Sequence, residues 1–227
     1  MKRSSELRIP LETGATSALV YPAESPAASL ILAHGAGAGQ RSAFMVACAA
    51  GLAARGVDVI TFDFPYMAAK RKMPDRGPLL EATYQTVIDT VRGEIESARR
   101  FLFIGGKSMG GRIATQVAAA SCALPVSGLV LLGYPLHPPG RPATLRAAHL
   151  PAVARPILFV QGSRDGFGTP SELAPILTLL IPAPSIHVVD GGDHSLVITR
   201  RDPSQQAAAN DVVYGVIARW IKSVIAR

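Results

Sequence analysis

Three residue types that cooperate in nucleophilic catalysis occur in the order Ser108, Asp165 and His194. Ser108 is the centre of GKSMG (106–110), which matches G-x-S-x-G. A short apolar run, 101–104, ends just before this motif, and a helical pattern rich in small residues follows it. A tight strand-to-helix turn of this kind lifts the serine hydroxyl clear of the sheet, at the N-terminus of a helix. The pattern therefore predicts Ser108 as a nucleophile.

The alternative interpretation of this motif is an ordinary glycine-rich turn that binds phosphate. A Walker A loop requires G-x-x-x-x-G-K-[ST], and the chain does contain Gly106-Lys107-Ser108. The position five residues before Gly106 is Phe101 rather than glycine. The sequence therefore favours a nucleophile over a nucleotide-binding loop.

Asp165 and His194 are the predicted partners of this serine. Asp165 lies in QGSRDG (161–166) and His194 in DGGDHS (190–195), each just past a predicted parallel strand. Residues at the carboxyl ends of parallel strands meet at one edge of the sheet. A neutral imidazole can accept the serine proton there, and a carboxylate fixes its tautomer.

Other acids and histidines remain open for these roles. Asp190 or Asp193 could replace Asp165, although Asp193 is expected to organise its own turn through its side chain. Three further histidines are expected to be structural or solvated: His137, His149 and His187.

A glycine-rich segment, HGAG (34–37), follows the first predicted parallel strand. Acyl transfer needs two N–H groups directed at the developing oxyanion. The predicted donors are the amide of Met109 and that of Ala36 or Gly37, while His34 is expected to anchor the loop. No metal-ligand spacing occurs, so we expect neither a metal nor an organic cofactor.

Apolar strand-like runs alternate with helical patterns, which is typical of a parallel sheet. The sequence predicts one α/β domain over 1–227, with a mostly parallel sheet of about eight strands and helices on both faces. The predicted strands are a hairpin of 6–12 and 16–21 turned at Gly14, then 29–33, 57–62, 101–104, 128–132, 157–160 and 185–189. The predicted helices are 42–55, 79–99, 109–121, 171–180 and 205–225, with loops at 66–78 and 135–156.

Composition excludes several classes of protein. With 48% hydrophobic and 17% charged residues, the chain is not mostly disordered. The net charge is +7, but the one dense basic cluster, 70–72, has no interleaved aromatic residues, so we expect no nucleic-acid partner. No apolar stretch is long enough to span a bilayer, and none follows the basic start Met1-Lys2-Arg3, so a cytoplasmic protein is expected. Cys48 and Cys122 are expected to be buried free thiols.

Four motifs together resemble the α/β-hydrolase superfamily: LAHGAGAG (32–39), GGKSMGGR (105–112), QGSRDGFG (161–168) and GGDHSL (191–196). Their combination is similar to the small KANL3/Tex30-like serine hydrolases, which are related to dienelactone hydrolases. The resemblance implies an eight-stranded, mostly parallel sheet in which Ser108, Asp165 and His194 occupy the triad positions.

The expected substrate is a small-molecule carboxylic ester or thioester, cleaved through an acyl-enzyme. Because 135–156 is short, we expect a minimal lid and an open site. Tyr66, Lys70 and Arg71 could line the pocket and bind an anionic substrate, or form a solvated loop face. Two alternatives remain open, namely a non-catalytic interaction module with this fold, and a peptidase or acyl transferase with the same triad.

Overall fold

A mixed, mostly parallel sheet of eight strands forms the framework of the molecule. The computed structural model describes residues 4–12 and 14–227, so the basic start of the chain, 1–3, lies outside the described residues. The strands are β1 Ser5–Leu11, β2 Gly14–Tyr21, β3 Ala28–Ala33, β4 Val57–Phe62, β5 Leu102–Lys107, β6 Gly128–Leu132, β7 Ile157–Gly162 and β8 Ser185–Val189. Their order is β1-β2-β4-β3-β5-β6-β7-β8. The pairs β1–β2 and β2–β4 are antiparallel and the remaining neighbours are parallel.

Helices cover both faces of this sheet. Their bounds are α1 Ala43–Ala53, α2 Pro65–Ala68, α3 Gly77–Glu94, α4 Glu96–Arg100, α5 Met109–Ala120, α6 Pro170–Leu177 and α7 Pro203–Ile225, and a 3-10 turn lies at Leu150–Ala152. Helices α1 and α7 pack on one face, and α3, α5 and α6 on the other. Every residue of β3, β4, β5, β6 and β7 is buried, as expected for parallel strands covered on both sides. None of the helices in the described ranges combines the length and the apolarity needed to cross a bilayer.

The predicted fold class is confirmed, and the deviations from the predicted elements have local causes. The predicted loop 66–78 contains α2, which begins with Pro65 at its first position, where the fixed φ of proline suits a helix. The predicted helix 79–99 is interrupted at Ile95, whose backbone is extended (φ −111°, ψ 119°). The Arg99 side chain donates to the carbonyl groups of Arg92 and Gly93, which satisfies the end of α3.

The hairpin turn and one of the two cysteines also differ from the predictions. Gly14, the predicted turn residue, already belongs to β2 and pairs with Leu11, with φ +110°, and the described turn residue is Glu12. Both cysteines are free, and Cys48 is buried as expected. The prediction that Cys122 is buried is wrong, because α5 ends at Ala120 and Cys122 lies in the exposed turn that follows.

Candidate active site

The turn after β5 places Ser108 in a strained conformation at the start of α5. Its backbone has φ 52° and ψ −116°, a region that residues with a side chain rarely adopt. A Cβ atom on Gly106 or on Gly110 would lie 2.5 Å from the carbonyl oxygen of Ala33. The strand and the helix can therefore approach β3 this closely only because both flanking positions are glycine.

Ser108, His194 and Asp165 form a continuous hydrogen-bonded chain. The Ser108 hydroxyl lies 2.8 Å from Nε2 of His194, and Nδ1 of the same ring lies 2.9 Å from both carboxylate oxygens of Asp165. Because Nδ1 faces a carboxylate, it is the nitrogen that carries the proton, and Nε2 is left to accept one. This arrangement suits transfer of the serine proton to the imidazole.

The surroundings hold Asp165 and His194 in place. Asp165 is fully buried, and it accepts hydrogen bonds from Nε2 of Gln161 and from the amide of Phe167, each 2.8 Å long. The Phe167 ring stacks on the imidazole with 4.0 Å between ring centroids and an interplanar angle of 26°. The carboxylate is thereby solvated by protein donors, while the ring has one preferred orientation.

The competing acids and histidines are engaged elsewhere. The Asp193 carboxylate accepts from the amides of Ser195 and Val197, so it organises the turn as expected. Asp190 accepts from the Ser163 hydroxyl.

The remaining histidines do not contact the Ser108 hydroxyl. His149 bonds to the Thr115 hydroxyl at 2.8 Å, and His137 lies 3.3 Å from the Glu172 carboxylate. His187 lies within β8. In the described residues, His194 is therefore the histidine that the fold brings to Ser108.

Hydrogen bonds from buried side chains hold the glycine-rich loop after β3. Nδ1 of the buried His34 donates to the Gly35 carbonyl at 2.7 Å, and Nε2 accepts from the Phe64 amide at 3.1 Å. Burial lowers the pKa of His34, which favours this neutral form. The Tyr66 hydroxyl donates to the Ala36 carbonyl at 2.9 Å. His34 thus anchors the loop, as the sequence predicted.

The predicted oxyanion donors border the site. Ala36, Gly37 and Met109 all line the cavity above Ser108. Within 4–12 and 14–227, none of their amide groups donates to a protein acceptor. They are therefore available to a substrate oxygen.

Lys107 is a buried cation that the sequence reasoning did not single out. Its ammonium donates to the carbonyl of His194 at 2.5 Å, which ties β5 to the loop that carries the imidazole. Burial lowers the pKa of Lys107 to about 8, although Asp165 and Asp193 act in the opposite direction.

A cavity of about 620 Å³ opens above Ser108 and His194. Its apolar lining includes Phe44, Met45, Leu80, Met109 and Phe167. The charged side chains that line it are Asp75, Lys107, Arg112 and Arg146. The cavity is therefore apolar for most of its wall, with cations in excess.

The three residues for which the sequence leaves substrate binding or a solvated loop face open, Tyr66, Lys70 and Arg71, do not line this cavity. Tyr66 is fully buried, because its ring packs against His34 and its hydroxyl supports the loop. Arg71 pairs with Asp75 at 2.6 Å, and Lys70 is exposed. Their position after a strand end did not reveal that Tyr66 lies in the core below the glycine-rich loop, or that Lys70 and Arg71 follow α2 outside the cavity.

No group of three or more metal-binding side chains occurs within the described residues.

The comparison with protein families agrees with the fold. A family model described as an alpha/beta hydrolase domain matches residues 26–222. The match covers most of the chain, so the chain belongs to the α/β-hydrolase family.

Solved structures share this fold over nearly the whole chain. XC6422 from Xanthomonas campestris, described as a serine hydrolase without lid, has 20% sequence identity and a TM-score of 0.75, covering 97% of this chain and 96% of that one. Dienelactone hydrolase from Anabaena variabilis has 17% identity and a TM-score of 0.75, covering 97% of each chain. Est1E from Butyrivibrio proteoclasticus, with ferulic acid bound, has 14% identity and a TM-score of 0.77, covering 97% of this chain and 100% of that one.

Proposed function

We propose that this protein is a serine hydrolase that cleaves a small carboxylic ester or thioester through an acyl-enzyme on Ser108. The observation that carries the proposal is the hydrogen-bonded chain from the Ser108 hydroxyl through His194 to the buried Asp165. Three residues that are distant in sequence share the geometry of a nucleophile, a base and an orienting acid.

In the first half of this mechanism, Ser108 attacks the substrate carbonyl while Nε2 of His194 accepts its proton. Asp165 holds the protonated Nδ1 and stabilises the imidazolium. The amides of Met109 and of Ala36 or Gly37 donate to the oxyanion as the tetrahedral intermediate forms. His194 then donates its proton to the leaving alcohol or thiol, and the acyl group stays on Ser108.

Water completes the reaction. His194 removes a proton from the water, which attacks the acyl carbonyl, and the serine oxygen leaves and regains a proton. The connection 135–156 is too short for a large lid, so we expect an open site, which suits small acyl groups better than long ones. That Est1E binds ferulic acid is compatible with a small carboxylic ligand in such a site.

Hydrolysis of short 4-nitrophenyl esters tests the proposal with a matched pair of variants. Ser108 and Ser121 lie at opposite ends of α5, and Ser121 is exposed. We expect Ser108→Ala to lose about 10³-fold or more of kcat and Ser121→Ala to retain the parent activity. Equal activity of parent and Ser108→Ala would refute the proposal.

The products formed from a panel of substrates distinguish the proposed hydrolase from the two alternatives. A non-catalytic interaction module would hydrolyse none of a panel of short and medium esters and thioesters. A peptidase or acyl transferase would cleave peptides, or transfer the acyl group to an added amine or alcohol in preference to water. We expect hydrolysis of esters or thioesters, with water as the acceptor.

The narrower group and the extent of the domain are also proposals. The four motifs of the sequence support a place among the KANL3/Tex30-like hydrolases, and the continuous sheet supports one domain over 1–227.

A further inference from the structure

The cavity above Ser108 holds cationic side chains that the proposed reaction does not use. Asp75, the acid in its lining, already pairs with Arg71 and accepts from the Tyr66 amide at 2.8 Å. Lys107 is engaged by the His194 carbonyl. Arg112 and Arg146 remain, and neither has a carboxylate oxygen within 4.0 Å among the described residues.

Arg112 lies one helical turn beyond the nucleophile. Its amide donates to the Ser108 carbonyl at 3.1 Å, so the two residues share one face of α5. Its guanidinium has one weak side-chain contact, with the Gln116 amide oxygen at 3.3 Å. Burial lowers the pKa of Arg112, and Glu81, which opposes this lowering, is too far away to form an ion pair. Arg112 is half-buried and lines the cavity above Ser108.

Arg146 reaches the same cavity from the connection between β6 and β7. Its amide donates to the Leu136 carbonyl at 2.7 Å, and its carbonyl accepts from the Tyr134 hydroxyl at 2.7 Å. Leu136 and Tyr134 are both fully buried, so the backbone of Arg146 is fixed although it lies in a loop. Burial is the main cause that lowers the pKa of Arg112, and the positive charge of Arg146 lowers it further, so the two cations act on one another.

Two half-buried guanidinium groups without an acidic partner are unfavourable together, and an anion between them would relieve this repulsion. Guanidinium groups bind carboxylates through paired N–H donors. We propose that Arg112 and Arg146 form a carboxylate-binding subsite, so that the preferred substrate is an ester or thioester with a second, ionised carboxyl group. This inference rests on the proposed hydrolase function. The apolar wall of Phe44, Met45 and Leu80 would contact the rest of the molecule.

Two substrate pairs test this subsite and locate the carboxylate. The first compares 4-nitrophenyl hemiglutarate with its methyl ester, which places the charge on the acyl side. The second compares 4-acetoxybenzoate with methyl 4-acetoxybenzoate, which places it on the leaving group. At low ionic strength we expect kcat/KM to favour the anion by about 10-fold or more in at least one pair.

The variants are Arg112→Gln, Arg146→Gln and both together. The matched control is Lys70→Gln with Arg141→Gln, which removes two exposed cations outside the cavity. The anion preference is the ratio of kcat/KM for the anionic ester to kcat/KM for its neutral partner. We expect this ratio to fall partly in each single variant, to approach 1 in the double variant and to stay at the parental value in the control. Because each ratio compares two substrates of the same variant, a general loss of activity lowers both kcat/KM values and leaves the ratio unchanged. If the double variant does not fold, the single variants carry the test.

Glutarate binding by calorimetry, with Ser108→Ala protein, tests the subsite without catalysis. We expect binding that is lost in the Ser108→Ala, Arg112→Gln, Arg146→Gln protein. If esters are not hydrolysed but glutarate binds in this arginine-dependent way, the hydrolase proposal fails and the subsite stands. A second outcome is that neutral esters are hydrolysed, that neither substrate pair shows an anion preference, and that glutarate does not bind. This outcome refutes the subsite and leaves the hydrolase proposal intact. An anion preference that survives in the double variant also refutes the subsite.

Discussion

Replacing Lys107 by methionine should change how the stability of the protein depends on pH. Lys107 is 8% exposed, and its hydrogen bond to the His194 carbonyl does not fully replace the water that the ammonium loses on folding. Its pKa in the folded protein is about 8, against an ordinary value of 10.5. Between these pH values, the unfolded chain binds more protons at this site than the folded one, so Lys107 makes stability rise with pH.

The size of the effect follows from the two pKa values. One unit of pKa shift corresponds to about 1.4 kcal/mol, and most of the interval between the folded and unfolded pKa values lies between pH 7 and 10. Lys107 should therefore contribute a rise of roughly 2–3 kcal/mol in the free energy of unfolding over that range. Lys107→Met fills a similar volume without the charge, so it lacks this rise. It also loses the bond to His194, which lowers stability by about 1 kcal/mol at every pH.

Urea denaturation at pH 7 and pH 10, followed by circular dichroism, measures this difference. We expect the variant to lose roughly 2–3 kcal/mol relative to the parent on going from pH 7 to pH 10. Lys70→Met, at an exposed lysine, should follow the parent at both pH values. A difference between Lys107→Met and parent that is the same at both pH values would refute the reasoning on the buried charge.

Three further substitutions probe the geometry of the site. Gly110→Ala should destabilise the protein by about 1–3 kcal/mol in urea titrations, because its Cβ would lie 2.5 Å from the Ala33 carbonyl oxygen. Asp165→Asn should lower kcat for a 4-nitrophenyl ester by about 10³-fold or more while the protein stays folded, because the amide cannot hold the correct tautomer of His194. Tyr66→Phe removes the bond to the Ala36 carbonyl, and it should lower the free energy of unfolding by about 1 kcal/mol.

Each of these predictions has a control variant or a result that would contradict it. Gly93→Ala in α3 meets no atom within 4 Å, so it should stabilise the helix by about 0.5–1 kcal/mol, and destabilisation equal to that of Gly110→Ala would contradict the steric argument. Asp190→Asn should retain the parent kcat, since Asp190 bonds to Ser163. If Asp165→Asn keeps parental kcat, the carboxylate has no role in orienting His194. Unchanged stability in Tyr66→Phe would show that its hydroxyl does not support the loop.

The sequence predicted the sheet, and it predicted that Ser108, Asp165 and His194 come together, because both features depend on local signals. An apolar run followed by G-x-S-x-G specifies a strand and a tight turn, and the parallel order then brings three strand ends to one edge. The two glycines of the motif, Gly106 and Gly110, are part of this local signal, because the Ala33 carbonyl lies too close to either position for a side chain to fit.

The cavity wall could not be predicted in the same way. Tyr66 is buried because its ring meets His34 and its hydroxyl meets Ala36, and these contacts form only after β3 and α2 have packed. Arg146 lies in an irregular connection, where no periodicity indicates which side chains face the site. Arg112 did have a signal, since a residue four positions after Ser108 on a helix shares its face.

The burial of Lys107 has a different origin. A lysine is ordinarily expected in solvent, and sequence reasoning has no means to place its ammonium at the His194 carbonyl. At the break of the predicted helix 79–99, Arg99 donates to a carbonyl at the end of α3, a contact that helical periodicity does not indicate.

Mass-spectrometric mapping of the site of fluorophosphonate attachment tests the central proposal most directly. Such a probe reacts with a serine whose hydroxyl is activated by a neighbouring base, so the bond from Ser108 to His194 predicts one modified peptide that carries the adduct on Ser108. We expect labelling of the parent and none of Ser108→Ala. A parent that does not react, or an adduct that persists in Ser108→Ala, would contradict the assignment of Ser108 as the nucleophile.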